Sequence, residues 1–202
     1  MTERPILFSA PMVRAILAGR KTVTRRVIKP QPKHTDGHNP WTTLKYYEEG
    51  HVAIECGPDY PDDAADERHC PYGAPGDQLW LRETWAVSNH YDSVKPSAVH
   101  DGAKVAYAAS GGCNGLRLRP SIFMPRWASR ITLAVTAVSV ERVQDINDAE
   151  AEMEGVDRPL DGMAWCSSFA RLWDAINGKR APWESNPWVW VVRFKVTGGE
   201  ES

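Results

Sequence analysis

Apolar positions recur along the chain at two periods, and the changes of period divide it into elements. Residues 5–8, PILF, form a short apolar run that predicts a strand. Ser9 then stands at an N-cap position and Pro11 in a first helical turn. Met12, Val13, Ile16 and Leu17 repeat at helical spacing, and Gly19 is placed to end that helix. The stretch GRKTVTRR, residues 19–26, therefore begins at a helix stop and runs into the extended segment TVTRRVI. Side chains alternate along a strand, so Thr22, Thr24 and Arg26 share one face, and Val23, Arg25 and Val27 the other. Lys21 belongs to the turn, leaning over the Thr24 face.

Further along, seven of the fifteen prolines fall within residues 29–76, which breaks any period and marks that stretch as irregular. Inside it, LKYYEEGHVAIEC reads as a hairpin turning at Glu49–Gly50. Pro75-Gly76-Asp77 signals a turn, and QLWLRETWAV after it reads as one strand. Lys104–Ala108 is a weaker strand, SIFMPRWAS a connector, and RITLAVTAVSVERV a long strand rich in β-branched residues. Asn147 caps a short helix with Glu150 in a capping-box position, and Gly155 ends it. Phe169, Leu172, Trp173 and Ile176 mark a second amphipathic helix ending at Gly178. NPWVWVVRFKV closes the chain as a strand with Trp188, Trp190, Val192, Phe194 and Val196 on its core face. The order predicts an α+β fold: a small, mainly antiparallel β-barrel flanked by helices, with an irregular insertion at 31–70.

Composition narrows this picture. With 202 residues, 42% hydrophobic and 25% charged, the chain is sized for a single domain spanning 1–202 with a real core. No run of 18 apolar residues occurs, so no membrane partner is expected. The start, MTERPILFSAP, lacks the pattern of a secretory leader, and the expected location is cytoplasmic. Four cysteines, Cys56, Cys70, Cys113 and Cys166, form no CxxC pair and read as free thiols. His51, Cys56, His69 and Cys70 match no standard zinc spacing, so no metal is assigned.

Charge is uneven although the net value is only −2. Residues 14–33 hold seven Lys/Arg and no acid, whereas 48–67 hold eight acids and no Lys or Arg. A local basic surface is consistent with this, but coating of long nucleic acids is not. Nine tryptophans mean either a rich core or a pocket for flat ligands. Trp80, Trp173, Trp188 and Trp190 are assigned to the core. Trp85 and Trp127 flank loop ends where stacking on a base is one role, and core packing is the role expected of each taken singly. Arg82 and Glu83 interrupt an apolar strand on opposite faces, one toward the cleft and one away; an ion pair with the basic segment explains them equally well.

Lys21 and Thr24 together suggest nucleophilic chemistry. A hydroxyl needs a base, and lysine serves once its pKa falls well below about 10.4. Arg25 and Arg26 push in that direction, and an arginine can also hold a carbonyl oxygen or a phosphate. By spacing alone, a solvated basic strand explains the same residues.

The pattern helix-Gly-x-Lys-Thr-x-Thr-x-Arg resembles the signature of the ASCH domain superfamily. PYGAPGDQLWLRETW, MPRWASRITLAVTAVSVERVQDI, the AEMEG helix end and NPWVWVVRFKV resemble ASCH proteins common in phages and prophages. The resemblance spans most of the chain apart from 31–69 and parts of 86–121. It implies a PUA-like β-barrel related to RNA-binding and modified-base-reading domains. One branch consists of amidohydrolases that deacetylate N4-acetylcytidine. Carried over to this chain, that branch implies Thr24 as nucleophile, Lys21 as base and Arg26 as a binding residue. It also uses a glutamate on the helix after the long strand, for which Glu154 is the best match, with Glu150 and Glu152 as fallbacks. Many ASCH members carry glutamate where this chain has Thr24, and these read as binders. The resemblance implies no metal or cofactor. It leaves open a non-catalytic reader of modified nucleosides or single-stranded RNA, and a ribonuclease.

Overall fold

The computed structural model describes residues 1–31, 43–47, 51–55, 68–157, 162 and 164–199. Ten strands and three α-helices are seen among them: β1 (Glu3–Leu7), α1 (Ala10–Leu17), β2 (Val23–Val27), β3 (Thr43–Tyr47), β4 (His51–Glu55), β5 (Arg68–His69), β6 (Gln78–Arg82), β7 (Trp85–Ala86), β8 (Ala106–Tyr107), β9 (Ile131–Arg142), α2 (Asp148–Met153), α3 (Trp165–Asn177) and β10 (Trp188–Gly199). The class is mixed α+β. The main sheet has five strands in the order β1-β6-β9-β10-β2, parallel only at β1–β6. β3, β4 and β5 form a second antiparallel sheet, and β7 and β8 a third. The predicted hairpin strands pair as expected; their turn lies outside the described residues, as do Cys56 and most of the 31–70 insertion.

The topology puts β1 and β2, joined through α1, at opposite edges of the main sheet. Among the described residues, main-chain pairing does not close the two edges. Instead the Arg26 guanidinium reaches across and donates to the Leu7 carbonyl at 2.7 Å. The gap between these edges is where the cleft lies.

Long strands β9 and β10 form the spine. The sequence predicts one core face for β10, but both faces are buried. Trp190, Val192 and Phe194 pack with Ile6, Val13, Ile16, Leu79 and Leu133 on one side. Val189 and Val191 pack with Val23, Ala151, Phe169 and Trp173 on the other. The helices α2 and α3 cover this second face at Val189 and Val191, and beyond them Arg193, Lys195 and Thr197 continue it as a polar side. Val196, assigned to the core face, is 44% exposed.

Local signals hold at the element ends. Ser9 occupies the N-cap of α1 with its carbonyl accepting from Val13 at 2.9 Å, although its side chain makes no capping bond. Gly19 has φ +70, the left-handed conformation that ends the helix. Asn147 caps α2 by accepting from the Glu150 amide at 3.0 Å. The predicted strand 78–87 is broken: β6 stops at Arg82 and β7 resumes at Trp85, because β7 turns away to pair with β8. No helix among the described residues is long and apolar enough to cross a membrane.

Candidate functional site

A cleft of about 1100 Å³ opens between the two sheet edges. Leu7, Phe8 and Met12 line it from the β1–α1 side, and Thr24–Pro30 line it continuously along β2. Tyr72, Trp190 and the α3 side chains Leu172 and Ile176 complete the walls, with Lys21 and Glu154 at the deep end.

Lys21 is placed by the way α1 ends. After Gly19, the amides of Arg20 and Lys21 donate to the Ala15 carbonyl at 2.9 and 3.0 Å, folding the chain back under the helix. The Thr22 amide donates to the Met153 carbonyl at 3.0 Å, which docks the turn on the end of α2. Gly155 makes this docking possible. A Cβ there would lie 2.8 Å from the Cβ atoms of both Ala15 and Lys21, and its φ is +75. Glycine supplies both the close approach and the left-handed turn.

This docking brings Lys21 and Glu154 together. Lys21 Nζ lies 2.7 Å from Glu154 Oε2 and 2.7 Å from the Glu154 carbonyl oxygen. The two side chains are 2% and 5% exposed. A carboxylate at the end of α2 opposes the helix dipole, and the facing cations compensate it. Burial pulls the Lys21 ammonium below the usual lysine range; Glu154 opposes this, and Arg26 and Arg25 add to it.

Arg25 is the residue that sequence reasoning missed. Its side chain has no exposure, and it meets three carboxylates: Glu150 at 2.7 Å, Glu141 at 3.1 Å and Glu154 at 3.5 Å. Arg193 also pairs with Glu150. The signal was present in the sequence. Arg25 shares a strand face with Val23 and Val27, and a cation between apolar residues on a core face requires buried counter-charge. Glu150, held as a fallback for Glu154, is instead the principal partner of Arg25.

Thr24 is 4% exposed and lines the cleft, three residues from Lys21, but no hydrogen bond joins it to Lys21 among the described residues. Arg26 lines the cleft with its guanidinium carbon 5.0 Å from the Phe8 ring centre. The basic segment is thus less of a surface than its sequence suggests, since Lys21 and Arg25 are both buried.

The β2 main chain adds a second feature. Phe194 donates to the Thr22 carbonyl at 2.9 Å and Ile28 to the Trp188 carbonyl at 3.1 Å. This register turns the main chain of Thr24 and Arg26 toward β10. The N–H and C=O of Arg25 and Val27 then point out along the sheet edge that lines the cleft, and no described residue pairs with them.

Four predicted binding residues fall elsewhere. Trp85 is fully buried, edge-on to Trp127 at 6.2 Å, in a core beneath residues 87–128, so no base reaches its face. Trp127 is half-buried against the same core and does not line the cleft. Glu83 is 1% exposed and pairs with Arg130 through contacts of 3.0 and 3.3 Å, not with the basic segment. Arg82 stacks on Trp80 at 4.5 Å and donates to the Ile122 carbonyl at 3.2 Å. It does not line the large cleft and borders a separate cavity of about 180 Å³ shared with Arg26 and Tyr72. Of the tryptophans assigned to the core, Trp80, Trp173 and Trp190 are buried and Trp188 packs against it.

Cys70, Cys113 and Cys166 are free thiols. Among the described residues, no group of three or more His, Cys, Asp or Glu side chains is arranged to hold a metal ion.

No family model matches the chain, and no curated protein matches it. Among solved structures it is similar to protein EF3133 from Enterococcus faecalis V583, a DUF984 protein, with TM-score 0.43 and 10% sequence identity over 100% of this chain and 84% of that one.

Proposed function

We propose that the protein is a PUA-like ASCH domain acting as an amidohydrolase on an N4-acylated cytosine. The observation that carries this reading is the buried Lys21–Glu154 contact at the deep end of a cleft that Thr24 also lines. Resemblance of GRKTVTRR to the deacetylase branch names the roles, and the gap between β1 and β2, bridged by Arg26, fits a barrel opened at one seam.

The chemistry follows from one shared proton. As an ion pair, Lys21 is an ammonium and Glu154 a carboxylate, which are a poor base and a poor acid. Transfer of one proton along their 2.7 Å contact yields a neutral amine and a carboxylic acid. Burial favours that neutral pair by disfavouring the ammonium. Thr24 Oγ then attacks the acyl carbon while Lys21 takes its proton. The bond from the acyl carbon to N4 breaks, and N4 takes the Glu154 proton. The products of this half are a Thr24 ester, free cytosine and the Lys21–Glu154 ion pair. Water hydrolyses the ester, returns the proton to Thr24 and releases the carboxylic acid. Arg26 binds the substrate beside Phe8.

The test is incubation with N4-acetylcytidine in the presence of a metal chelator. Equal release of cytidine and acetate supports the reading. A non-catalytic reader is the second reading, favoured by the half-buried Tyr72 ring in the cleft lining. It predicts binding of the nucleoside without release, and a ribonuclease predicts cleavage of an RNA strand instead.

A further inference from the structure

We infer that Arg25 is a positioning residue that orients the Glu154 carboxylate and, balanced by Glu141 and Glu150, sets the protonation of Lys21. This inference rests on the reading of Lys21 and Glu154 as the proton-handling pair, and it adds a residue that the family resemblance does not assign.

The geometry is specific. Glu154 offers its two oxygens to two different cations: Oε2 to Lys21 at 2.7 Å and Oε1 to Arg25 at 3.5 Å. The Arg25 contact fixes the plane of the carboxylate, so that Oε2 stays on Lys21. Arg25 is itself held through its other terminal nitrogen, 2.7 Å from Glu150 and 3.1 Å from Glu141. A planar guanidinium can hold three carboxylates in this way, whereas an ammonium is a point charge. The Glu154 contact is the longest of the three, so Arg25 spends most of its charge on the outer acids.

The surrounding charges come from one turn and four elements. Lys21 stands on the α1–β2 turn, Arg25 and Arg26 on β2, Glu150 and Glu154 on α2 and its end, Glu141 on β9 and Arg193 on β10. Cys166 of α3 lies within the field of Arg25, its thiol pushed up to about 11 by burial. Lys21, Arg25, Arg26 and Arg193 thus face Glu141, Glu150 and Glu154 with one cation in excess. Removing Arg25 takes a cation from the neighbourhood of Lys21 and frees Glu154 for it alone. Removing an outer acid does the reverse, because Arg25 then draws more strongly on Glu154. The two changes move the titration of Lys21 in opposite directions.

The experiment follows Lys21 by NMR of protein carrying 13C-labelled lysine, its signal assigned by its loss in Lys21→Arg, and needs no turnover. In Arg25→Met the Lys21 midpoint is expected to rise, and in Glu150→Gln and Glu141→Gln to fall. Arg25→Lys keeps the charge and is expected to hold the midpoint near the parent value. Midpoints that stay together in all four variants overturn the inference, leaving Arg25 a structural ion-pair partner. If Arg25→Met does not fold, the two glutamine variants and Arg25→Lys still decide it. Turnover of N4-acetylcytidine is measured on the same samples. A parent without turnover defeats the amidohydrolase reading while the Lys21 midpoints still test Arg25. A parent with turnover and unmoved midpoints defeats the Arg25 inference alone.

Discussion

The Lys21 ammonium is held at 2.7 Å by two oxygens of one residue, the carboxylate and the main-chain carbonyl of Glu154. A lysine at a helix end ordinarily points to water. This one satisfies the orphan carbonyl at the end of α2 and pairs with the acid at the same position. Its geometry is therefore fixed by two helix ends meeting, α1 above and α2 beside it. Substituting arginine keeps the charge but not a base, and the buried space was built for an ammonium. Lys21→Arg is expected to lose all measurable turnover, as read by cytidine release; an active variant removes the general-base role.

Gly155 is the hinge of that meeting. Gly155→Ala forces a side chain into a left-handed residue and against Ala15 and Lys21 at 2.8 Å. We expect a loss of more than about 1 kcal/mol in unfolding free energy, together with a loss of turnover, because Lys21 must shift to make room. Denaturant unfolding and the activity assay check both. A variant with parental stability and rate would show that the approach is not needed.

Thr24→Ala separates chemistry from fold. The residue is buried in β2 and pairs with Val192, so deletion of its hydroxyl and methyl is expected to cost about 1 kcal/mol and leave a folded protein. Turnover should vanish, and Thr24→Ser should restore part of it. Activity in the alanine variant means that Thr24 is not the nucleophile.

Protonation of Lys21 also reaches the stability of the protein. Burial lowers its pKa in the folded state, whereas the unfolded chain titrates near 10.4. Between the two values the unfolded state binds more protons, so this group makes unfolding free energy rise with pH across that window. Below the lowered value the buried charge is a constant cost. The difference in unfolding free energy between the parent and Lys21→Met should therefore change only within the window. Denaturant titrations at a series of alkaline pH values check this, and a flat difference contradicts it.

Much of the framework was legible in the sequence, because it rests on local rules. The apolar period of residues 12–17, Gly19 as a stop, Asn147 as a cap and the β-branched run of β9 each specify an element without reference to neighbours. Lys21, Thr24, Arg26 and Glu154 line one cleft. What was not legible depends on what covers each face. Val189 and Val191 are core because α2 and α3 lie over them. Arg25 is buried because three acids from two elements converge on it. Trp85 and Glu83 turn inward because the chain breaks at Thr84 and pairs with β8, which no periodicity within 78–87 reveals.

The open edge of β2 gives an independent check on the geometry of the cleft. Amides of Thr24 and Arg26 lie in the ladder with β10, while those of Arg25 and Val27 face outward. Amide hydrogen exchange is expected to alternate along the strand, slow at 24 and 26 and faster at 25 and 27. Ligand bound along the edge should slow the second pair. Uniform protection in the free protein would mean that the edge is already paired.

The most direct measurement is the release of cytidine from N4-acetylcytidine by the parent protein, with Lys21→Ala and Thr24→Ala assayed beside it. Cytidine and acetate are expected in equal amounts from the parent and none from either variant. Equal release from all three, or none from a folded parent that binds the nucleoside, would contradict it.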